Sequence, residues 1–390
     1  MMFQSPLISS LVIGVKISQG VQDCHGVKPL WGSHEARVAA KHEISFDFGQ
    51  PMTLKGAVMR TLVICAALLV LIFRACGGEV AGHLVERLPG NPMIRPEMLP
   101  GADGANINGP SLIRVPSWVK NPLGRYYLYF AHHKGEYIRL AYADRLEGPW
   151  KIHAPGVLHL ADAPGCRGHI ASPDVIVDEA RREIRMYFHG PARAEKGQKS
   201  FLARSPDGLS FKASDEILGL FYFRVFRHAD AWYALAKGGM LYRSVDGLTK
   251  FEAGPSVFPD GEARTGDMNG PGPRHVAVLP EGDGLWVYYS SIGAAPECIR
   301  RARLDLTANW REWKVTASEE VLRPEREWEG AGLPVTVSKA GEVRGLENAL
   351  RDPAIFVDTD GRRYLLYSVA GESGIAVAEL RSTQSGVREQ

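Results

Sequence analysis

The chain's apolar residues fall into short aromatic runs that recur between residues 126 and 368. Five stand out: Tyr126-Tyr127-Leu128-Tyr129-Phe130, Ile184-Arg185-Met186-Tyr187-Phe188, Trp232-Tyr233-Ala234-Leu235-Ala236, Leu285-Trp286-Val287-Tyr288-Tyr289 and Tyr364-Leu365-Leu366-Tyr367-Ser368. An apolar segment precedes each run, at residues 111–115, 174–177, 223–226, 275–279 and 354–357. The linking segments carry Asp and Gly, as in Glu281-Gly282-Asp283-Gly284 and Asp358-Thr359-Asp360-Gly361, which is hairpin chemistry. A third strand follows each pair, at residues 138–143, 200–204, 240–243, 299–304 and 375–380. Four units add a fourth element: Trp150-Lys151-Ile152, Phe211-Lys212-Ala213, Phe251-Glu252-Ala253 and Trp313-Lys314-Val315.

Five repeats of a four-stranded antiparallel meander predict an all-β, five-bladed β-propeller. The fifth unit stops at its third strand, and a propeller must close its ring to remove free sheet edges. Residues 83–95 are therefore expected to complete it. The propeller domain is placed at residues 83–390.

The region before it reads differently. Met59-Arg60 precedes an apolar run at residues 62–73, and small residues follow, which together make residues 59–82 a signal peptide. The run is too short to span a bilayer. No membrane association beyond this export signal is expected, and the protein is expected to be secreted or periplasmic. Residues 1–58 lack a hydrophobic period and read as a non-native or disordered extension, with Met59 as the true start.

Composition adds exclusions. Lys and Arg number 46 against 44 Asp and Glu, without a basic run, so nucleic acid is not an expected partner. The 42 glycines and 25 prolines suit many short strands and tight turns. Only Cys166 and Cys298 lie in the repeated region, without a C-x-x-C pair. They read as two buried thiols, with a disulfide as the alternative. No cofactor is expected, though a cation in the central channel is compatible with the sequence. A monomer is expected.

Over residues 90–380 the chain resembles the five-bladed glycoside hydrolases, above all family 43. Asn91-Pro92-Met93-Ile94, Asn108-Gly109-Pro110-Ser111, Ser172-Pro173-Asp174-Val175 and Arg351-Asp352-Pro353-Ala354 carry the resemblance. It implies a carbohydrate pocket at the propeller axis. The family's general base is a first-blade Asp, where this chain has Gly109. Its general acid is a third-blade Glu, where this chain reads Phe221-Tyr222-Phe223-Arg224. Only the second-blade Asp that tunes the acid carries over, to Asp174.

Polar residues at the ends of the first two strands of each unit are the pocket candidates. They are Asn108, His132 and His133 in blade one, His169, Asp174 and His189 in blade two, and Tyr222 and Arg224 in blade three. Blade four offers Arg274 and His275, and blade five Glu347, Asp352 and Glu372. Glycoside hydrolysis needs two carboxyl groups. Asp352 is assigned as base and Glu347 or Glu372 as acid, with Asp174 tuning the acid or holding the sugar. Two alternatives remain open. The His and Arg residues suit a polysaccharide lyase acting on an anionic glycan, and the two missing carboxylates suit a sugar-binding propeller without catalysis.

Overall fold

The computed structural model describes residues 83–259 and 270–382. The expected signal peptide and N-terminal extension lie outside the described residues. Five antiparallel sheets form the blades, four with four strands and one with five. Their first strands, Asn108–Arg114, Ala171–Asp178, Arg224–His228, Gly272–Glu281 and Arg351–Val357, pack beside one another around the axis.

The aromatic runs are the second strands. Each is covered on both faces by a neighbouring blade, which is why they read as continuous apolar runs rather than alternations. Alternate side chains serve opposite neighbours. Tyr127 and Tyr129 pack toward Ile184 and Met186, while Leu128 and Phe130 pack toward Tyr364 and Leu366. Likewise Trp286 and Tyr288 join Leu365 and Tyr367, whereas Val287 and Tyr289 join Tyr233 and Leu235. The core is thus five apolar seams between blades, and Tyr187 with Ala234 and Ala236 belongs to the fifth.

Polar bonds repeat across the seams. Tyr129 Oη donates to Gly208 O at 2.9 Å, and Tyr187 Oη donates to Gly247 O at 2.6 Å. Both acceptors sit in Ser-x-Asp-Gly turns. Asp207 Oδ1 accepts from Leu209 N and Asp246 Oδ1 from Leu248 N, each at 2.8 Å, and the glycines take φ of 76° and 70°. Side chains other than Gly, Asn and Asp are disfavoured at such φ.

Two expectations needed correction or resolution. The fourth strand of blade four is Glu319–Leu322, not Trp313-Lys314-Val315. Trp313 instead buries its indole in the seam with blade three, leaving Val315 a single bridge to Leu304. Cys166 and Cys298 are both buried and free, so the disulfide alternative fails.

The ring closes with the strand His83–Arg87, which pairs antiparallel with Ile375–Ser382 and becomes the outer strand of blade five. Arg87 locks it there. Its Nε and Nη2 donate to Glu329 Oε1 and Oε2 at 2.8 and 2.9 Å. Glu329 is fully buried and also accepts from Tyr367 Oη and the Glu325 and Arg326 amides. Removing one partner of a buried pair strands the other charge, a loss of about 3–5 kcal/mol. Arg87→Ala is expected to lower stability by about 3 kcal/mol in urea denaturation. Glu86→Ala, which removes an exposed pair with Arg381, is expected to cost under about 1 kcal/mol.

Candidate active site

Each innermost strand carries a one-residue bulge near its start. Ala171 faces His189 and Asp174 faces Tyr187, so Ser172 and Pro173 oppose one residue. The same shift falls between Asn108 and Ser111, between Pro273 and Val276, and between Arg351 and Ala354. In blade three, Lys237 N donates to Phe221 O while Arg224 faces Leu235, giving the same spacing. A bulge whose first residue has positive φ bends the strand and re-aims its side chain. Gly109, Ser172, Tyr222 and Asp352 hold that place, with φ of 60°, 46°, 68° and 50°. In blade four it falls to Arg274, followed by His275.

The five bulges meet. Asp352 Oδ2 lies 3.4 Å from the Gly109 amide, and Asp352 Oδ1 is in contact with His275 Nδ1. The His275 and Tyr222 rings are 3.7 Å apart, and Tyr222 stands edge-on to His189 at 4.6 Å. A Cβ on Gly109 would sit 3.0 Å from Ser172 Cα. That close approach is met by a glycine without displacing Ser172.

A buried ion network stands behind Asp352. Arg351 Nε lies 2.8 Å from Glu297, Nη2 donates to Glu347 at 2.8 Å, and Nη1 reaches Glu372 at 3.5 Å. Glu297 also accepts from Arg274 Nε at 2.9 Å, Ser290 Oγ at 2.8 Å and Ser338 Oγ at 2.5 Å. Burial alone would raise the Asp352 pKa, but His275, Arg274 and Arg351 outweigh it and hold the carboxyl well below the usual range. Burial lowers His275, despite Asp352 beside it. Its Nδ1 faces the carboxylate, and its buried Nε2 has no hydrogen-bond partner among the described residues.

Glu372 accepts from Asn106 Nδ2 at 2.5 Å and Asn108 Nδ2 at 3.3 Å, and lies 3.5 Å from His133 Nδ1. Burial opposes its ionisation, yet His133 and Asn106 bring its pKa below the ordinary value. Asp174 behaves oppositely. Burial raises it, against Arg224 at 3.8 Å and the Val225 amide at 2.7 Å.

The structure thus gathers Asp352, His275, Arg274, Glu372, Glu347, Asn108 and His133 into one network. His189, kept neutral by burial, joins the axial ring through Tyr222. His169 lies beside His189, its Nε2 3.0 Å from Gln198 Oε1. Asp174 and Arg224 lie at the seam between blades two and three. His132 is turned into its own loop, accepting from Lys134 N at 3.0 Å. Among the described residues no cluster of three or more His, Cys, Asp or Glu is placed to hold a metal ion.

Sequence reasoning missed Glu297, Ser338 and Lys237 and used Arg351 only as part of a motif. Nothing distinguishes Glu297 or Ser338 in a loop sequence. Lys237 had a signal, because it occupies in blade three the place that His189 occupies in blade two. It is buried and donates to Pro273 O at 3.2 Å.

The fold and the axial ring define a five-bladed propeller of the kind seen in family-43 glycoside hydrolases. A thermostable family-43 glycoside hydrolase superposes with a TM-score of 0.50 at 16% identity, over 73% of this chain and 97% of that one. An endo-1,4-beta-xylanase from Bacteroides thetaiotaomicron gives 0.51 at 14% identity, over 73% and 93%. No family model matches the sequence. The chain belongs to the same family as an uncharacterized protein of Acanthamoeba polyphaga mimivirus, being 38% identical over 330 residues that cover 78% of this chain and 92% of that protein.

Burial lowers the Lys237 pKa from 10.5 to about 7, with Arg274 adding to the effect. A lysine with a depressed folded pKa binds its proton more weakly folded than unfolded. Its penalty is absent above pH 10.5, grows as pH falls toward 7, and is complete below. Lys237→Met is expected to raise stability at neutral and acidic pH by a few kcal/mol, on the order of the shift. The gain should vanish in strongly alkaline buffer when thermal midpoints are compared across pH.

Proposed function

We propose that this propeller binds a poly- or oligosaccharide at its axis and hydrolyses a glycosidic bond there. The observation that carries the reading is the chain of contacts at the axis that runs from Gly109 through Asp352 and His275 to Tyr222 and His189, with Asp352 held ionised. A propeller axis built only for stability would have no need of an Asp, two His and a Tyr in such a chain.

The two carboxyl groups best suited to the reaction are Asp352 and Asp174. Paired acid and base residues reveal themselves when their surroundings push their pKa values apart. Asp352 is held ionised and suits the base or nucleophile. Asp174 is held toward its protonated form by burial, which suits the proton donor. Glu372 is kept ionised by His133 and Asn106, and Glu347 is engaged by Arg351, so neither fits the acid role expected for it. Asp352-Pro353 occupies in blade five the place that Gly109-Pro110 occupies in blade one.

One contact supports a second reading. His275, oriented by Asp352, leaves Nε2 free to accept a proton, as a lyase acting beside a carboxylate requires. The two readings differ in product, new reducing ends alone for a hydrolase and an ultraviolet-absorbing unsaturated sugar for a lyase. We also propose, from residues 59–82, that the protein is exported.

Asp352→Asn and Asp174→Asn are each expected to abolish release of reducing ends while the circular dichroism spectrum stays unchanged. Full activity in both would overturn the assignment. The acid must carry its proton, so activity is expected to fall as pH rises through the elevated Asp174 pKa. That alkaline limb should disappear from any residual activity of Asp174→Asn.

A further inference from the structure

Six arginines are buried in the described residues: Arg139, Arg185, Arg224, Arg274, Arg301 and Arg351. Five of them hold a carboxylate oxygen by a hydrogen bond. Arg139 has Asp103, Arg185 has Glu183, Arg274 has Glu297, Arg301 has Glu319 and Arg351 has Glu347. Arg224 is the exception. It is 3% exposed, and only Nη1 is engaged, donating to Pro173 O at 2.9 Å. Its Nε and Nη2 are buried and find no hydrogen-bond partner among the described residues.

The nearest carboxylate does not answer this charge. Asp174 Oδ1 lies 3.8 Å from Nη1, on the edge already used, and Asp174 Oδ2 accepts from the Val225 amide. Burial also disfavours the ionised form of Asp174. A guanidinium cannot shed its proton at ordinary pH. An unpaired buried charge is costly and is kept where something else supplies the counter-charge.

Arg224 stands at the rim of the axial ring. It lies two residues after Tyr222, and Pro173, which it grips, belongs to the bulge of blade two. Its positive charge opposes protonation of both His189 and His275. With Nη1 fixed to Pro173, the unpaired Nε and Nη2 form one edge of the planar group. Two parallel N–H donors on one edge match the two oxygens of a carboxylate or a sulfate ester.

We propose that the Nε–Nη2 edge of Arg224 receives an acidic group on the sugar, so that the ligand of this pocket is an anionic glycan. The proposal rests on the glycan-binding reading above and names its substrate class. The shared chemistry is a singly charged oxyanion carried by a sugar ring, either the carboxylate of a uronic acid or a sulfate half-ester.

Calorimetric binding to the full chain tests this with an oligogalacturonate, the same oligosaccharide methyl-esterified, a sulfated xylo-oligosaccharide and a neutral xylo-oligosaccharide. At least one acidic ligand is expected to bind about tenfold or more tightly than its neutral counterpart. That preference should vanish in Arg224→Gln and survive in part in Arg224→Lys. A uronate preference and a sulfate preference each support the proposal and separate the two sources. Equal binding of acidic and neutral forms overturns it, as does an acidic preference unchanged in Arg224→Gln. The esterified ligand tests the proposal on the unaltered protein, whether or not the variants fold. If neutral oligosaccharides bind and are cleaved without acidic preference, the anionic inference fails while the hydrolase reading stands. If no oligosaccharide binds, both fail.

Discussion

The guanidinium of Arg351 is the constraint on which the site depends. It is almost wholly buried and reaches three carboxylates, Glu297 just before the third strand of blade four, Glu347 just before the first strand of blade five and Glu372 in the turn between the second and third strands of blade five. Each of these groups is itself anchored elsewhere. Glu297 binds Arg274, and Glu372 binds the blade-one residues Asn106 and Asn108. One planar cation thereby joins three blades behind Asp352. A lysine would offer a point charge without the separate edges that let one group serve three partners. Such networks are less a source of stability than of definite geometry, since each member is costly when left unpaired.

Much of the fold was legible in the sequence because propeller physics writes itself into the chain. Middle strands covered on both faces are apolar throughout, and tight turns demand Asp and Gly. The five aromatic runs therefore marked the five second strands directly. The fourth strand of blade four was misread because Trp313 has the character of a strand residue but packs into a seam. The site was less legible. Asp174 shares its place with Ser111, whose Oγ accepts from the Val175 amide at 2.8 Å just as Asp174 accepts from Val225. A polar residue at this place bridges two blades, and its type does not tell such a structural role from a functional one. Asp352, Arg274 and His275 could be named in advance from strand position. Glu297 and Lys237 could not be joined to them without knowing which loop lies behind which bulge.

The equivalence of the bulges bears on how the axis is organised. Five equivalent positions, four of them with positive φ, hold five different residues, Gly109, Ser172, Tyr222, Arg274 and Asp352. Fivefold repetition fixes where side chains go and leaves open which blade supplies the charge. In blade one this place is a glycine packed close against Ser172, and in blade five it holds a carboxylate. The axis keeps its backbone geometry while the polar groups differ from blade to blade.

The outer strand of blade five has a consequence for how the molecule forms. Arg87 and Glu329 are 242 residues apart in the chain, yet their bond holds the outer strand of this sheet in place. The entropy lost in bringing distant segments together grows only logarithmically with their separation, so this contact is thermodynamically accessible. Kinetically it is another matter, because contacts between distant segments form late. During synthesis the segment His83–Arg87 emerges long before its partner strand and must wait, unpaired, until blade five exists. The short length of that strand, five residues with a charged pair at its end, limits what it can wrongly join in the interval.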